Sequence, residues 1–408
     1  MNKPAAGRRI LIYSHDTFGL GHLRRCRAIA HALVEEHKQL SVLILSGSPI
    51  IGSFDFRARV DFVRIPGVIK LRNGEYTTLN LHIDIEQTLA MRASIILHTA
   101  GIFGPDIFIV DKEPLGLRGE IKETLEMLKQ RGTRIVLGLR DVLDEPSLLR
   151  PEWRRKNVLP ALRHLYDDIW IYGLPQIYDP IADIGLPADV RKKVAFTGYL
   201  PRTVPASTPL SGVIERIKEP YVLVTGGGGG DGEALIDWVL SAYECSSPPP
   251  WNALLVFGPF MQPELQAQFQ ERVNKLPRVT AVVFDAYLES LMARAAGVVA
   301  MGGYNTFCEI LSFDKRAIIV PRRVPRMEQY IRASRFSDLG LVAMLDDTGR
   351  RDPAAMATAL RRLPQQRLPS EVVIPGLLDG FVNLNRLVAM RLAEGNRAGG
   401  VARIGRSR

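Results

Sequence analysis

Residues 297–310 read Gly297-Val298-Val299-Ala300-Met301-Gly302-Gly303-Tyr304-Asn305-Thr306-Phe307-Cys308-Glu309-Ile310. An apolar run stops at two glycines, and an amphipathic segment bearing an acid, Glu309, follows. This is the pattern of a buried strand that feeds a helix through a corner without side chains. The first turn of such a helix has free N–H groups, and the helix dipole makes that end a natural anion site. One corner of this kind is weak evidence, because many strand-to-helix turns look alike. The chain has two more.

The same rhythm extends in both directions. Strand-like runs at 9–14, 41–46, 61–65, 106–110, 134–139 and 168–172 alternate with helical periodicity at 22–36, 84–99, 116–131 and 152–166. Farther on, strands are expected at 221–224, 253–257, 280–284, 297–300 and 317–320, with helices at 232–243, 263–273, 288–295, 306–313 and 328–338. Strands apolar on both faces and separated by helices predict parallel sheets covered on both sides. Between the halves, Gly198-Tyr199-Leu200-Pro201-Arg202-Thr203-Val204-Pro205-Ala206-Ser207-Thr208-Pro209 can continue neither element. The reading is an α/β chain of two facing, doubly wound, Rossmann-like domains. Residues 1–200 form the first, 201–212 the linker and 213–375 the second. A last helix within 376–396 is expected to cross back, and the basic tail 397–408, with four arginines and no acid, to fray. Ligands of such folds lie at the carboxyl ends of the strands, here in the cleft between domains.

Composition agrees. The 408 residues are too many for one ordinary core, and 46% apolar content suffices for two. Absence of an apolar run of about 18 residues argues against a membrane span. The three scattered cysteines, Cys26, Cys245 and Cys308, suggest neither a disulfide framework nor a metal cluster. Together with an N-terminus lacking a signal-peptide pattern, this predicts a cytoplasmic setting. The net charge of +10 favours anionic partners: nucleotide diphosphates, an acidic membrane surface or nucleic acid. Nucleic acid ranks last, because no recognition motif is present.

The first corner is Phe18-Gly19-Leu20-Gly21-His22-Leu23-Arg24-Arg25-Cys26. Gly19, Gly21 and Arg24 are placed at the cleft. His22 opens the helix either as a general base for a hydroxyl or as a capping residue. His15 and His31 fall at a strand end and in a helix interior. The second corner, Thr225-Gly226-Gly227-Gly228-Gly229-Gly230-Asp231-Gly232, lacks the Lys-Ser/Thr of a P-loop. Its run of glycines, Gly227 and Gly228 among them, suits close approach of backbone to a ligand. At the third, Gly303, Tyr304, Asn305 and Thr306 offer N–H groups, with Glu309 beyond. Downstream, Pro321-Arg322-Arg323-Val324-Pro325-Arg326-Met327-Glu328-Gln329-Tyr330 suits a pyrophosphate beside sugar hydroxyls, or is a solvated basic helix start. Arg140 and Asp141 emerge at a strand's carboxyl end, facing the cleft or pairing with each other at its rim. Val68-Ile69-Lys70-Leu71-Arg72 is either an exposed loop suited to anionic lipid or a buried strand end. No metal-ligand spacing, cofactor fingerprint or Gly-x-Ser-x-Gly appears, so neither metal nor cofactor is expected.

Taken in order, the Gly-His corner, the Gly-rich corner, the helix with Glu309 and then Glu328-Gln329 resemble the two-domain nucleotide-sugar glycosyltransferases of GT-B type. The likeness is strongest to the family that adds N-acetylglucosamine to the peptidoglycan lipid intermediate, and it spans about residues 8–392. It implies His22 beside the reacting hydroxyl, Glu309 on the donor's ribose, residues 303–306 on its diphosphate, and Gly227 and Gly228 on the donor side. Glu328 and Gln329 fall where the family has an amide pair on the donor sugar. The family's Gly-Gly-x-Gly-Gly-His is here Thr17-Phe18-Gly19-Leu20-Gly21-His22. Residues 19–26 also resemble the nucleotide-sugar hydrolase of pseudaminic acid synthesis, which passes the sugar to water. The expected activity is therefore metal-independent transfer from a UDP-linked sugar to a hydroxyl of a cell-envelope glycan or lipid-linked acceptor, with peripheral contact of the first domain at an anionic inner membrane face. Hydrolysis of the donor comes second, and a non-catalytic sugar-nucleotide binder third.

Overall fold

The computed structural model describes residues 7–16, 20–70, 75–204, 212–213, 217, 219–227, 231–347 and 349–404. In the first domain β1 (Arg8–Ser14), α1 (Gly21–Glu36), β2 (Leu40–Ser46), β3 (Val60–Arg64), β4 (Val68–Lys70) and β5 (Tyr76–Thr78) come first. They are followed by α2 (Ile85–Phe103), β6 (Ile107–Asp111), α3 (Lys122–Gln130), β7 (Arg134–Arg140), α4 (Pro146–Arg155), α5 (Val158–His164), β8 (Asp168–Tyr172), α6 (Ala188–Arg191) and β9 (Val194–Phe196). The second domain runs through β10 (Tyr221–Thr225), α7 (Glu233–Glu244), β11 (Asn252–Val256), α8 (Pro263–Val273), β12 (Val279–Val282), α9 (Leu288–Arg294) and β13 (Gly297–Ala300). It ends with α10 (Tyr304–Ser312), β14 (Ala317–Ile319), α11 (Glu328–Asp338), β15 (Ala343–Met344) and α12 (Pro353–Arg362), before α13 (Gly380–Ile404).

Two sheets result, ordered β3-β2-β1-β6-β7-β8-β9 and β12-β11-β10-β13-β14-β15. All their ladders are parallel. Residues 10–13 and 298–299 are fully buried, as strands between two helical layers must be. Each sheet reverses its strand order once, between β1 and β6 and between β10 and β13. A crevice opens at such a point beyond the carboxyl ends of the strands. The two crevices face each other.

Several elements depart from the sequence reading. The helix expected at 116–131 begins as a 3-10 turn at Leu117–Gly119, because Gly116 and Arg118 take positive φ, and α3 starts only at Lys122. The helix expected at 152–166 is two helices, divided at Asn157, whose φ is 48°; asparagine tolerates that left-handed turn. The strands β4, β5, β9 and β15 have two or three residues, too few to display a period. In α12 the signal was present: Asp352 caps the helix by accepting from Ala354 N at 3.0 Å, and Pro353 follows. Val68 is buried against Leu89 and Leu117 in the β4/β5 hairpin. The Lys70 side chain and residues 71–74 lie outside the described residues. The last helix continues to Ile404, past 397, where the tail was expected to fray. Among the described residues no helix is long and apolar enough to cross a membrane.

What joins the domains is both apolar and ionic. One hydrophobic cluster contains Ile10 and Trp170 of the first domain, Leu223 and Phe307 of the second, and Leu384 and Val388 of α13. The start of α13 crosses hard against the linker: a Cβ at Gly380 would lie 2.4 Å from the Tyr199 carbonyl. Its far end returns to the first domain, where Arg391 Nε donates to Asp168 at 2.8 Å. At the centre, Arg332 of α11 meets Asp141 from the end of β7, with Nε to Oδ2 at 2.8 Å and Nη2 to Oδ1 at 2.7 Å. Both side chains are essentially without solvent exposure. Tyr199 Oη donates to Asp141 Oδ2 at 2.9 Å, and Arg332 Nη1 to the Gly302 carbonyl at 3.0 Å.

Removing one member of such a buried pair strands the other charge. Asp141→Ala is expected to destabilise the protein by ~3–5 kcal/mol, while Asp141→Leu combined with Arg332→Met recovers most of that loss. Denaturant unfolding checks both; an unchanged midpoint in Asp141→Ala would show that the pair does not hold the domains.

Candidate active site in the interdomain cleft

Strand order places the first-domain half of the site. β1 leads through the Gly corner into α1, and β6 ends at Asp111 on the other side of the switch point. His22, the second residue of α1, thereby reaches Asp111: its Nδ1 makes a very short contact with Oδ2. Arg25 Nε donates to the other carboxylate oxygen at 3.0 Å. Burial pulls the His22 imidazole down to about 4, more than Asp111 raises it. The ring is therefore neutral near pH 7. An ionised carboxylate only accepts, so the single ring proton is assigned to Nδ1 and Nε2 keeps its lone pair. His22 does not cap the helix, whose N-cap is Leu20 without a side-chain bond. Asp16 serves the first turn instead, accepting from Leu23 N at 3.1 Å while Ser46 Oγ donates to it at 2.6 Å. Burial raises the Asp16 carboxyl to about 6.

The second-domain half is the corner between β13 and α10. Gly302 has φ +87°, and a Cβ there would lie 2.8 Å from Ile319. At Gly303, the N-cap, a Cβ would meet nothing within 4 Å. Packing thus explains the first glycine and leaves open space over the second. Phe307 N donates to the Gly303 carbonyl at 3.0 Å, so the N–H groups of Tyr304, Asn305 and Thr306 precede the first intrahelical bond. The two halves touch here: Asn305 Nδ2 donates to the Gly21 carbonyl at 2.9 Å. Arg202 Nη2 donates to Asn305 Oδ1 at 3.0 Å.

Glu309, fully buried, faces the first domain. Arg24 Nη2 donates to its Oε1 and, at 2.6 Å, to Glu289 Oε1. Glu309 Oε2 is buried without a partner. Burial pushes this carboxyl up, and Glu289 adds to that, while Arg24 opposes both. Beside Arg24 lies a small open recess, bordered by Leu20 and Phe54 on one side and by Gly227, Gly258, Phe284 and Glu289 on the other.

Of the remaining expected site residues, Glu328 is buried and pairs with Arg140, whose Nη1 donates to Oε1 at 3.2 Å. Burial pushes that carboxyl up, but Arg140 and further cations hold it at about 2. Gln329 Oε1 accepts from Arg322 N at 3.2 Å. Arg140 and Asp141 do not pair with each other; each crosses the cleft to its own partner. The arginines expected to suit a pyrophosphate carry carboxylates already: Arg322 has Asp231, Arg323 has Asp346, and Arg326 has Asp144 and Glu152. Gly19 and Gly228 lie outside the described residues; Gly227 borders the open space. Sequence reasoning missed Asp111, Arg25 and Glu289. For Asp111 the signal was an acid ending an apolar strand next to the switch point.

Residues 221–371 match the glycosyltransferase family 28 C-terminal domain. Whole-chain similarity extends to solved structures. The glycosyltransferase VinC in complex with dTDP is 17% identical, covers 95% of this chain and 100% of its own, and gives a TM-score of 0.59. A UDP-glucosyltransferase from Polygonum tinctorium capable of glucosylating indoxyl is 13% identical over 95% of both chains, with a TM-score of 0.62. MurG of Acinetobacter baumannii is 13% identical over 93% of this chain and 95% of its own, at 0.52. At such identities the likeness establishes the GT-B fold. Comparison with curated proteins finds no match. The family domain and the architecture make the chain a nucleotide-sugar glycosyltransferase.

A histidine held neutral has a consequence for stability. The unfolded chain takes up a proton near pH 6.5, whereas folded His22 resists protonation down to about 4. Its contribution is complete above 6.5 and is lost as pH falls through that window. His31, lowered to about 3 by burial, acts in the same direction. Urea midpoints should therefore fall between pH 6.5 and 4, and the fall should be shallower in His22→Gln; equal slopes would place the imidazole in solvent.

Proposed function

We propose that the chain transfers a sugar from a UDP-linked donor to a hydroxyl of a cell-envelope glycan or lipid-linked acceptor, at the inner face of the membrane. The observation that carries this reading is the seating of the neutral His22, oriented by Asp111, against the open N-terminus of α10 through the Asn305 bond to Gly21. A base and an anion site meet there, as displacement at an anomeric carbon requires. In the step itself His22 Nε2 takes the proton of the acceptor hydroxyl as that oxygen attacks the anomeric carbon. The bond to the diphosphate breaks, and the departing charge falls on the N–H groups of residues 304–306. Glu309 is assigned to the ribose, where its unpartnered Oε2 can accept a hydroxyl proton. Glu328 and Gln329 are assigned to the donor sugar, and Gly227 to the nucleotide. UDP is placed first because relatives of this fold were solved with UDP or with UDP-2-fluoro-glucose.

Three measurements test the assignment. His22→Ala should lose ~10²–10⁴ in turnover and retain UDP affinity. Glu309→Ala should weaken UDP binding in calorimetry by the ~1.5–3 kcal/mol of a charge-assisted hydrogen bond; unchanged binding removes Glu309 from the ribose. UDP release that requires an envelope-derived acceptor supports transfer, whereas release from donor alone would make the chain a hydrolase.

A further inference from the structure

Beside His22, at the carboxyl ends of β6 and β7, stands a cluster of charges from both domains. Its cations are nearly all matched. Lys156 Nζ pairs with Glu113 at 2.8 Å and Glu152 at 2.7 Å. Arg326 pairs with Asp144 at 3.1 Å and Glu152 at 3.0 Å, and Arg140 pairs with Glu328. Lys112 is the exception. Among the described residues its ammonium makes no hydrogen bond or ion pair, and the residue is half-buried. A second donor nearby is also unmet: Arg140 Nε is buried without an acceptor. A buried donor without an acceptor, as Arg140 Nε is, is rare because it forfeits its hydration.

The backbone holds Lys112 in place. It follows Asp111, the residue that orients His22, and its N–H donates to the Gly138 carbonyl at 2.8 Å. Its φ is 68°, a conformation uncommon for a residue with a side chain. Burial lowers the ammonium to about 8, with Glu113 opposing and Arg140 and Arg326 adding to the fall. Its charge is felt at both His22 and His15. A cation is thus kept next to the base, within the field of the Glu113 and Glu328 carboxylates but hydrogen-bonded to neither.

We infer that Lys112, with Arg140 Nε beside it, receives a carboxylate or phosphate of the acceptor, so that the hydroxyl presented to His22 belongs to an acidic molecule. This deepens the transfer reading above and rests on it. The donor's diphosphate is the other possible source of negative charge, but it is already assigned to the free N–H groups of α10. Lys112 stands on the first domain, with the base.

The test uses inorganic phosphate as the probe on full-length protein saturated with UDP. Lysine amines are acylated at mildly alkaline pH and mapped by peptide mass spectrometry. Phosphate should slow labelling of Lys112 several-fold and leave Lys156, already paired, unchanged. In calorimetry on the same UDP-saturated protein, Lys112→Met should weaken phosphate binding by about tenfold, the loss of one charge-assisted hydrogen bond. Lys112→Arg should preserve phosphate binding, and both variants should bind UDP as the parent does. No protection of Lys112 by phosphate overturns the inference. So does full protection by UDP alone, which would give Lys112 to the donor. If UDP itself fails to bind, the transfer reading falls, and phosphate protection measured without UDP still decides whether Lys112 is an anion site.

Discussion

The bond between Arg332 and Asp141 constrains nearly everything else in the cleft. Two unit charges have been taken out of water at a domain boundary, a step that is unfavourable unless every remaining donor and acceptor is met. Here they are met from both sides: Tyr199 Oη and Val142 N donate to Asp141, and the Gly302 carbonyl accepts from Arg332. That last contact couples the domain boundary to the glycine corner that opens α10. The glycine turn before α10 and the approach of the first domain therefore meet at one guanidinium. The Asn305 bond to Gly21 brings the helix N-terminus beside His22.

Charge in the cleft is distributed by function. Asp111 is shared between a guanidinium and an imidazole; burial is the main reason that a histidine bonded to a carboxylate remains neutral here, and the Arg25 charge adds to it. Arg25 supplies the positive charge that Asp111 needs, so the ring does not have to. Burial then keeps the proton off Nε2. A bond to a fixed acceptor orients the ring and selects its tautomer, the usual service of a carboxylate behind a catalytic histidine. On the opposite wall, Arg24 spans Glu289 and Glu309 and compensates two acids that burial alone would drive toward protonation. Several cations at the cleft are thus spent on the chain's own carboxylates. The run from Arg322 to Arg326 illustrates this: read as a string of letters it looks free to clamp a phosphate, yet each arginine in it has an acid.

Much of the architecture was legible from local pattern. Buried parallel strands must be apolar on both faces, and helices packed over them must be amphipathic, so alternation alone specified two doubly wound sheets. Glycine corners after β1, β10 and β13, and the histidine at the first of them, were visible for the same reason: their chemistry is local. The misreadings were local too. Asn157 breaks a helix through a left-handed turn that periodicity cannot register, and strands of two or three residues have no period to show.

The partners were decided by tertiary structure alone. Asp111 lies 89 positions from His22 in the sequence and reaches it only because β1 and β6 are neighbours at the switch point. Neighbouring residues at a strand end point to opposite sides, so Arg140 and Asp141 turn away from each other and take separate partners on α11. Closure of the domains matches Arg140 and Arg326 with acids across the boundary, while Lys156 pairs within its own domain and Lys112 makes no ion pair among the described residues. Sequence determines which groups stand at the strand ends, because that depends on patterning along the chain. Which of those groups are satisfied, and which remain open to a ligand, depends on distances across the cleft that only the folded pair of domains sets.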